Sequence, residues 1–198
     1  MRFASRALAN EVVGISAEHG FAMWRAYGNI FGGWAAARRG KVAAGIERMR
    51  AGIAAAAATG ARLFEPLFLG LLAEGLALEG SAAEALVQLD AAVAAAVRTS
   101  NTAALADLRR LRGIVLQSLG TANDDGVESA FSQAIAEARR QGSRFYELRA
   151  ATSLARLWRD QGRGAEARDL LAPIYGWFTE GFDTPDLKEA KALLDELV

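Results

Sequence analysis

The chain has 198 residues, of which 52% are hydrophobic and 23% charged, a composition of globular rather than disordered protein. Its 23 basic and 23 acidic residues balance to a formal net charge of zero, which argues against nucleic acid as the main partner. Cysteine is absent, so disulfides and thiol chemistry are excluded. Residues 3–19 come first in chain order and read as a helix, with Leu8, Val12 and Ile15 on one side and a break at Gly20. This stretch has no long apolar core, carries Glu11 early and does not read as a secretory signal. No apolar run reaches about 18 residues, so no membrane span is predicted and the cytoplasm is the expected compartment.

From there the chain repeats. Gly40, Gly80, Gly120 and Gly162 close helical stretches about 40 residues apart, and Gly20, Gly60, Ser100 and Gly142 mark breaks halfway between them. Each period therefore holds two helices and two turns. Glycine suits the turns because a helix often ends on a residue in the left-handed region. β-branched residues are sparse and no long run alternates with period two, so no strand is predicted.

The repeats fall at about 21–60, 61–100, 101–142 and 143–181. In the first, Gly33 and Ala36 precede Gly40, and Gly45, Met49, Gly52 and Ile53 follow. In the second, Leu69, Leu72, Ala73 and Leu76 precede Gly80, and Ala85, Leu89, Ala92 and Val93 follow. The third has Gly113 and Leu116 before Gly120, a small insertion around "TANDDG", then Val127, Phe131, Ala134 and Ile135. The fourth has Leu154, Ala155 and Trp158 before Gly162, and Ala167, Leu171, Ile174 and Tyr175 after it. Small residues at the expected helix crossings let the helices approach, and large ones fill the gaps.

The closing stretch "LLAPIYGWFTEGFDTPDLKEAKALLDEL" divides at Gly181. Pro173 lies inside the last helix of the fourth repeat and predicts a kink or an early break. Tyr175, Trp177 and Phe178 are then expected to turn toward Trp158. Thr184 reads as an N-cap, Pro185 as N1 and Asp186 as a complement to the helix dipole, opening a capping helix over 184–198. Leu187, Ala190, Leu194 and Leu197 are expected on its buried face, with Lys188, Glu189, Lys191 and Asp195 toward water.

The predicted fold is all-α, a right-handed α-α superhelix of tetratricopeptide (TPR)-like type. It has about four helical pairs of about 40 residues and a helix at each end, in a single domain over 1–198. The period exceeds the usual 34 residues of such repeats. In register, residues 3–19 form the second helix of a pair whose first helix is missing, as in a tail cut from something longer or as a capping helix of a small stand-alone protein.

The segment "ELRAATSLARLWRDQGRGAEARDLLAPIYGWFTEGFDTPDLKEAKALLDEL", Glu147 to Leu197, resembles the extreme C-terminus of a family of large bacterial signalling ATPases, many of them adenylate or guanylate cyclases. "AEHGF…GNIFGGWAAARRGKVAAGIERMRAG" resembles the same tail more loosely. "LRRLRGIVLQ" resembles a segment that usually reads "ELHRLRGELLL", from which Asp107, Ile114 and Val115 depart. The resemblance covers roughly residues 12–198 and implies the TPR-like tail alone, since no cyclase or P-loop catalytic segment is present. It implies a non-catalytic interaction or regulatory module, with a protein segment or the output domains of its own parent as partner.

Tests for chemistry are mostly negative. "GWAAARRGKV", Gly33 to Val42, has the wrong glycine spacing for a phosphate loop and Val42 in place of its hydroxyl. "GRGAEA" at Gly162 lacks the third glycine of a dinucleotide fingerprint. His19, the one histidine, has no metal-binding motif around it and sits at a helix end, where a cationic ring meets the dipole. "NDDG", Asn123 to Gly126, lacks the acids of a calcium loop and reads as a solvated loop. No catalytic residue, metal site or cofactor is expected.

What remains is an arginine-rich surface between Arg98 and Arg168, interspersed with acids such as Glu166 near Arg163. In the repeat register Tyr27, Ile30, Trp34, Glu74, Asp107, Arg110, Arg149, Thr152, Arg156 and Arg159 are expected on the inner wall of the array, as contacts for a protein or peptide partner. A homo-oligomer is compatible with this reading. The competing expectation is a small-molecule sensor with a pocket lined by Trp24, Tyr27 and Trp34.

Overall fold

The computed structural model describes residues 6–120 and 124–197. Ten α-helices and no strand occur among them: α1 (Arg6–Glu18), α2 (Ala22–Ala37), α3 (Val42–Ala58), α4 (Glu65–Glu79), α5 (Ala82–Arg98), α6 (Leu105–Ser118), α7 (Asp124–Arg140), α8 (Arg144–Asp160), α9 (Gly164–Tyr175) and α10 (Pro185–Glu196). The predicted pairs are thus α2/α3, α4/α5, α6/α7 and α8/α9, with α1 and α10 outside them. Residues 3–5 and 198 of the two predicted end helices lie outside the described residues, as do residues 121–123 of the predicted insertion.

The turn glycines behave as their spacing predicts. Gly20, Gly40, Gly60, Gly80, Gly120, Gly142 and Gly162 all have positive φ, reaching 89° at Gly80. At the eighth position the chain has Ser100, with φ of 52°, and no other described non-glycine residue has a positive φ. A side chain there meets the following carbonyl, a clash glycine lacks.

The contacts form two compact units, Met1–Ala104 and Leu105–Val198. In the first, α2 packs on α3 and α4 on α5, while α3 and α2 both touch α4, and α1 lies against α2. The α2/α3 crossing depends on bare backbone. A Cβ on Gly45 would lie 2.5 Å from the Gly33 carbonyl oxygen, and one on Gly33 would lie 2.6 Å from that of Gly45. Ile30, Met49, Leu76 and Leu89 are fully buried around such crossings.

In the second unit α6 pairs with α7 and α8 with α9; α8 touches α6 and α7, and α10 rests on α8 and α9. Its core is Phe131, Leu148, Leu154, Leu171 and their neighbours, closed by Leu187, Ala190 and Leu193 of α10. The Phe131 ring fills the space over Gly113, where a Cβ would lie 2.5 Å from Cε1.

Several local expectations change. The face of α1 bearing Leu8, Val12 and Ile15 is exposed, and Ala9 and Ser16 are buried instead. Among the described elements only α2 packs on this helix, and it does so at Gly28, where a Cβ would meet Val13 Cγ2 at 2.9 Å and the Ala9 carbonyl at 3.1 Å. Residues 124–126 form the first turn of α7 rather than a loop, as Asp125 near a helix start favours, while Asn123 lies outside the described residues. On α10, Leu193 and not Leu194 faces the core; Leu194 packs at its edge. Val93 of α5 is also exposed.

Pro173 sits inside α9, which ends two residues later at Tyr175. Tyr175 and Phe178 pack with Trp158 against the core. Trp177 does not: it is 55% exposed, and the Arg144 guanidinium lies over its ring at 5.4 Å.

Candidate functional site

The ten residues expected on the inner wall divide by burial. Tyr27, Ile30, Arg110 and Thr152 are buried, so they stand behind the surface rather than on it. Thr152 donates its hydroxyl hydrogen to the Leu148 carbonyl of its own helix at 2.8 Å. Trp34, Glu74, Asp107, Arg149, Arg156 and Arg159 remain partly exposed.

In the first unit, Trp34 and Glu74 meet across α2 and α4. The indole Nε1–H donates to Glu74 Oε2 at 2.8 Å, and Arg38 reaches Glu74 Oε1 at 2.7 Å with its guanidinium 5.8 Å from the Trp34 ring centroid. Trp34 is therefore tied to α4 rather than joined to Trp24 and Tyr27 in a pocket.

Tyr27 is the centre of a different aromatic group. Its ring stands 4.8 Å from Phe68, 5.9 Å from Phe64 and 5.8 Å from Trp24, centroid to centroid, all roughly edge-to-face. Burial pushes the Tyr27 hydroxyl pKa up. Around this buried hub the outer members are open: Trp24 is 54% exposed, Phe64 41% and Leu63 58%. Phe64 and Leu63 escaped the sequence reading because they precede α4, where helical periodicity gives no face.

The same unit has an open groove of about 350 Å³, lined by Ile53, Ala54, Phe68, Leu72, Arg50 and Arg62 among others. Arg50 pairs with Glu84 at 2.6 Å across α3 and α5, and Glu65 pairs with Arg98 at 2.9 Å and Arg62 at 3.6 Å.

In the second unit, charged residues form a ladder over three helices. Asp107 of α6 accepts from Arg110 Nε at 2.7 Å and from an Arg149 guanidinium N–H at 3.0 Å. Arg149 of α8 continues to Asp186 of α10 at 3.2 Å. Further along α8, Arg156 pairs with Glu189 and Arg159 with Glu196, both on α10. Burial alone would raise the Asp107 pKa, but Arg110 and Arg149 outweigh it and hold the carboxyl below its usual range. The Tyr146 hydroxyl shifts up, through burial first and then the Asp107 carboxylate.

The second unit also anchors Glu147, a buried carboxylate gripped by Arg139 at 2.7 Å and Arg144 at 2.8 Å. Arg163 bridges Glu128 at 2.9 Å and the predicted Glu166 at 2.8 Å, with its guanidinium 4.6 Å from the Trp158 ring centroid.

Elsewhere the chemistry is plain. The stretch Gly33–Val42 ends α2 and opens α3, and Gly162 turns α8 into α9. His19 follows the end of α1 and stacks on Phe21 at 5.8 Å. Among the described residues no group of three His, Asp or Glu side chains could share a metal ion, and no helix is long and apolar enough to cross a membrane.

Solved structures with the same architecture decide the fold. The crystal structure of a putative kinesin light chain with nearly identical TPR-like repeats, from Podosopora anserina, aligns with a TM-score of 0.57 at 19% identity, covering 96% of this chain and 86% of that one. The fold is a TPR-like helical repeat. A second crystal structure of that protein, a variant form, gives a TM-score of 0.59 at 20% identity over 86% of this chain and 84% of that one. No family model and no curated protein matches the sequence. In such repeats each helix pair cannot bury its apolar face alone, and stacking neighbours completes the core.

Proposed function

We propose that this chain is a non-catalytic protein-interaction module whose two units each present a surface to protein, the first through exposed side chains of α2 and of the turn before α4, the second through those of α8. The observation that carries the reading is the aromatic group around Tyr27. A buried ring holds Trp24 and Phe64 in place while leaving them open, as anchor residues at protein interfaces require. The resemblance of Glu147–Leu197 to the tail of signalling ATPases and cyclases supports a regulatory setting, with output domains as partners and the cytoplasm as compartment.

The test is quantitative affinity capture with the intact chain and with a Trp24→Ala/Phe64→Ala variant, each checked for native helicity. A specific protein recovered by the parent and lost by the variant is the expected result. Equal recovery by both would overturn the assignment of the aromatic face.

The groove bounded by α3, α4 and α5 supports a second reading, an effector sensor, because its volume lies at the lower end of small-molecule sites and its interior is mostly apolar. A sensor gains thermal stability when its ligand is added. A metabolite screen by thermal shift without a single stabilising compound would remove this reading.

A further inference from the structure

α10 stands on α8 much as α8 stands on α6. Asp107 of α6, Arg149 of α8 and Asp186 of α10 form one continuous chain of ion pairs. α10 is linked to α9 by residues 176–184, in which Gly181 takes a φ of 77° and Trp177 and Phe182 are exposed. It is only 12 residues long, and a helix of that length is marginal without its tertiary contacts.

Those contacts have a definite chemistry. Leu187, Ala190 and Leu193 supply an apolar stripe at i, i+3 and i+6 that is buried in the second unit's core. Asp186, Glu189 and Glu196 flank the stripe and meet Arg149, Arg156 and Arg159, which recur at i, i+7 and i+10 along α8. The two helices run in the same direction, because the pairs advance together along both. Glu189 and Glu196 are more than half exposed, so these two charge contacts of α10 are open to water and salt, while the Arg149–Asp186 pair is about three-quarters buried.

We infer that this face of α8 is a docking site for an acidic amphipathic helix of a partner protein, and that α10 is its resident occupant, displaced when the partner binds. The inference rests on the reading of the chain as a protein-interaction module and names the partner class for its second unit. Charge complementarity selects the occupant: three arginines in a row beside an apolar floor fit carboxylates flanking leucines, and they repel a basic helix. The presence of α10 lowers the apparent affinity for any competitor by the fraction of time the face stands open.

The experiment uses the full chain and a fluorescein-labelled peptide of residues 182–198, read by fluorescence anisotropy. A chain carrying Asp186→Lys, Glu189→Lys and Glu196→Lys, which drives α10 off the arginines, should bind the peptide about tenfold more tightly than the parent does. Binding should weaken in high salt, and adding Arg156→Glu and Arg159→Glu should abolish it. A folded triple variant that binds no better than the parent would overturn the inference.

A second variant guards against misfolding. The chain has no cysteine, so Arg156→Cys with Glu189→Cys places thiols only on α8 and α10. Joining them with a short bismaleimide should block the peptide, while the unjoined form binds it. Peptide binding unchanged by the cross-link would contradict the proposal. So would a concentration-dependent dimer of the parent chain that exchanges α10 between copies, since the occupant would then be a second copy. If these tests fail while the aromatic face of the first unit still captures protein, only this inference falls.

Discussion

Replacing Gly45 with alanine tests the packing of the first unit against helix propensity, because the two make opposite demands. In an exposed helix interior, glycine to alanine stabilises by about 1 kcal/mol through backbone entropy. Gly14 of α1 is such a place, with no atom within 4 Å of an added Cβ. At Gly45 the same methyl would lie 2.5 Å from the Gly33 carbonyl oxygen, 2.8 Å from the Ala37 nitrogen and 2.9 Å from the Ala37 Cβ. None of these is the end of a flexible side chain. α2 and α3 must separate, and overpacking of that kind costs about 1–3 kcal/mol. With rigid backbone as the obstacle the cost falls at the upper end, and subtracting the propensity gain leaves a net destabilisation of about 1–2 kcal/mol. Urea denaturation of Gly45→Ala, Gly14→Ala and the parent should give midpoints below and above the parent's, with unchanged slopes. If Gly45→Ala is stabilised as much as Gly14→Ala, the close crossing of α2 and α3 is wrong.

Three other substitutions follow the same logic. Ser100→Gly removes the one described non-glycine residue with positive φ and should raise stability by about 0.5–1 kcal/mol, seen as a higher denaturation midpoint; a lower one would show that the serine is not strained. Leu193→Ala should cost about 2–5 kcal/mol and Leu194→Ala about 1 kcal/mol or less, so equal losses would contradict the observed rotation of α10. Asp107→Asn leaves Arg110 and Arg149 without their shared carboxylate and should cost about 1–3 kcal/mol at neutral pH. The Asp107 carboxyl has a lowered folded pKa, so its contribution is present above its unfolded value and is lost as pH falls through the folded one. The gap between the stability curves of the variant and the parent should therefore begin to narrow below about pH 4 and close only as the pH passes below the lowered folded value, and a gap that does not narrow in acid would refute the charge contribution.

Much of this fold is written in glycine. The 40-residue spacing of Gly40, Gly80, Gly120 and Gly162 gives the helix count and the turns, because the left-handed conformation leaves a residue choice that survives any packing. Gly33, Gly45 and Gly113 are legible as crossing points for a related reason: nothing larger fits. Rotation about a helix axis is harder to read. Leu193 and Leu194 differ by 100°, and only the position of α8 and α9 decides which is buried. The same ambiguity turned Leu8, Val12 and Ile15 of α1 outward. In the candidate site, the residue types were legible but not their partners. Trp34 finds Glu74 and Arg149 finds Asp107 at sequence separations of 40 and 42, and no local rule links them. The aromatic face was half visible, through Trp24 and Tyr27, because Phe64 belongs to a turn that helical periodicity does not reach.

The central claim is that the chain binds protein through particular helix faces, and site-specific photo-cross-linking tests it most directly. A benzophenone side chain is placed in turn at Trp24 and Arg156, on the proposed faces, and at Glu47 and Asp169, exposed on α3 and α9. Irradiation in extracts should join a discrete protein to the first two positions and none to the last two. Cross-links of equal yield at all four positions, or at Glu47 and Asp169 alone, would contradict the account.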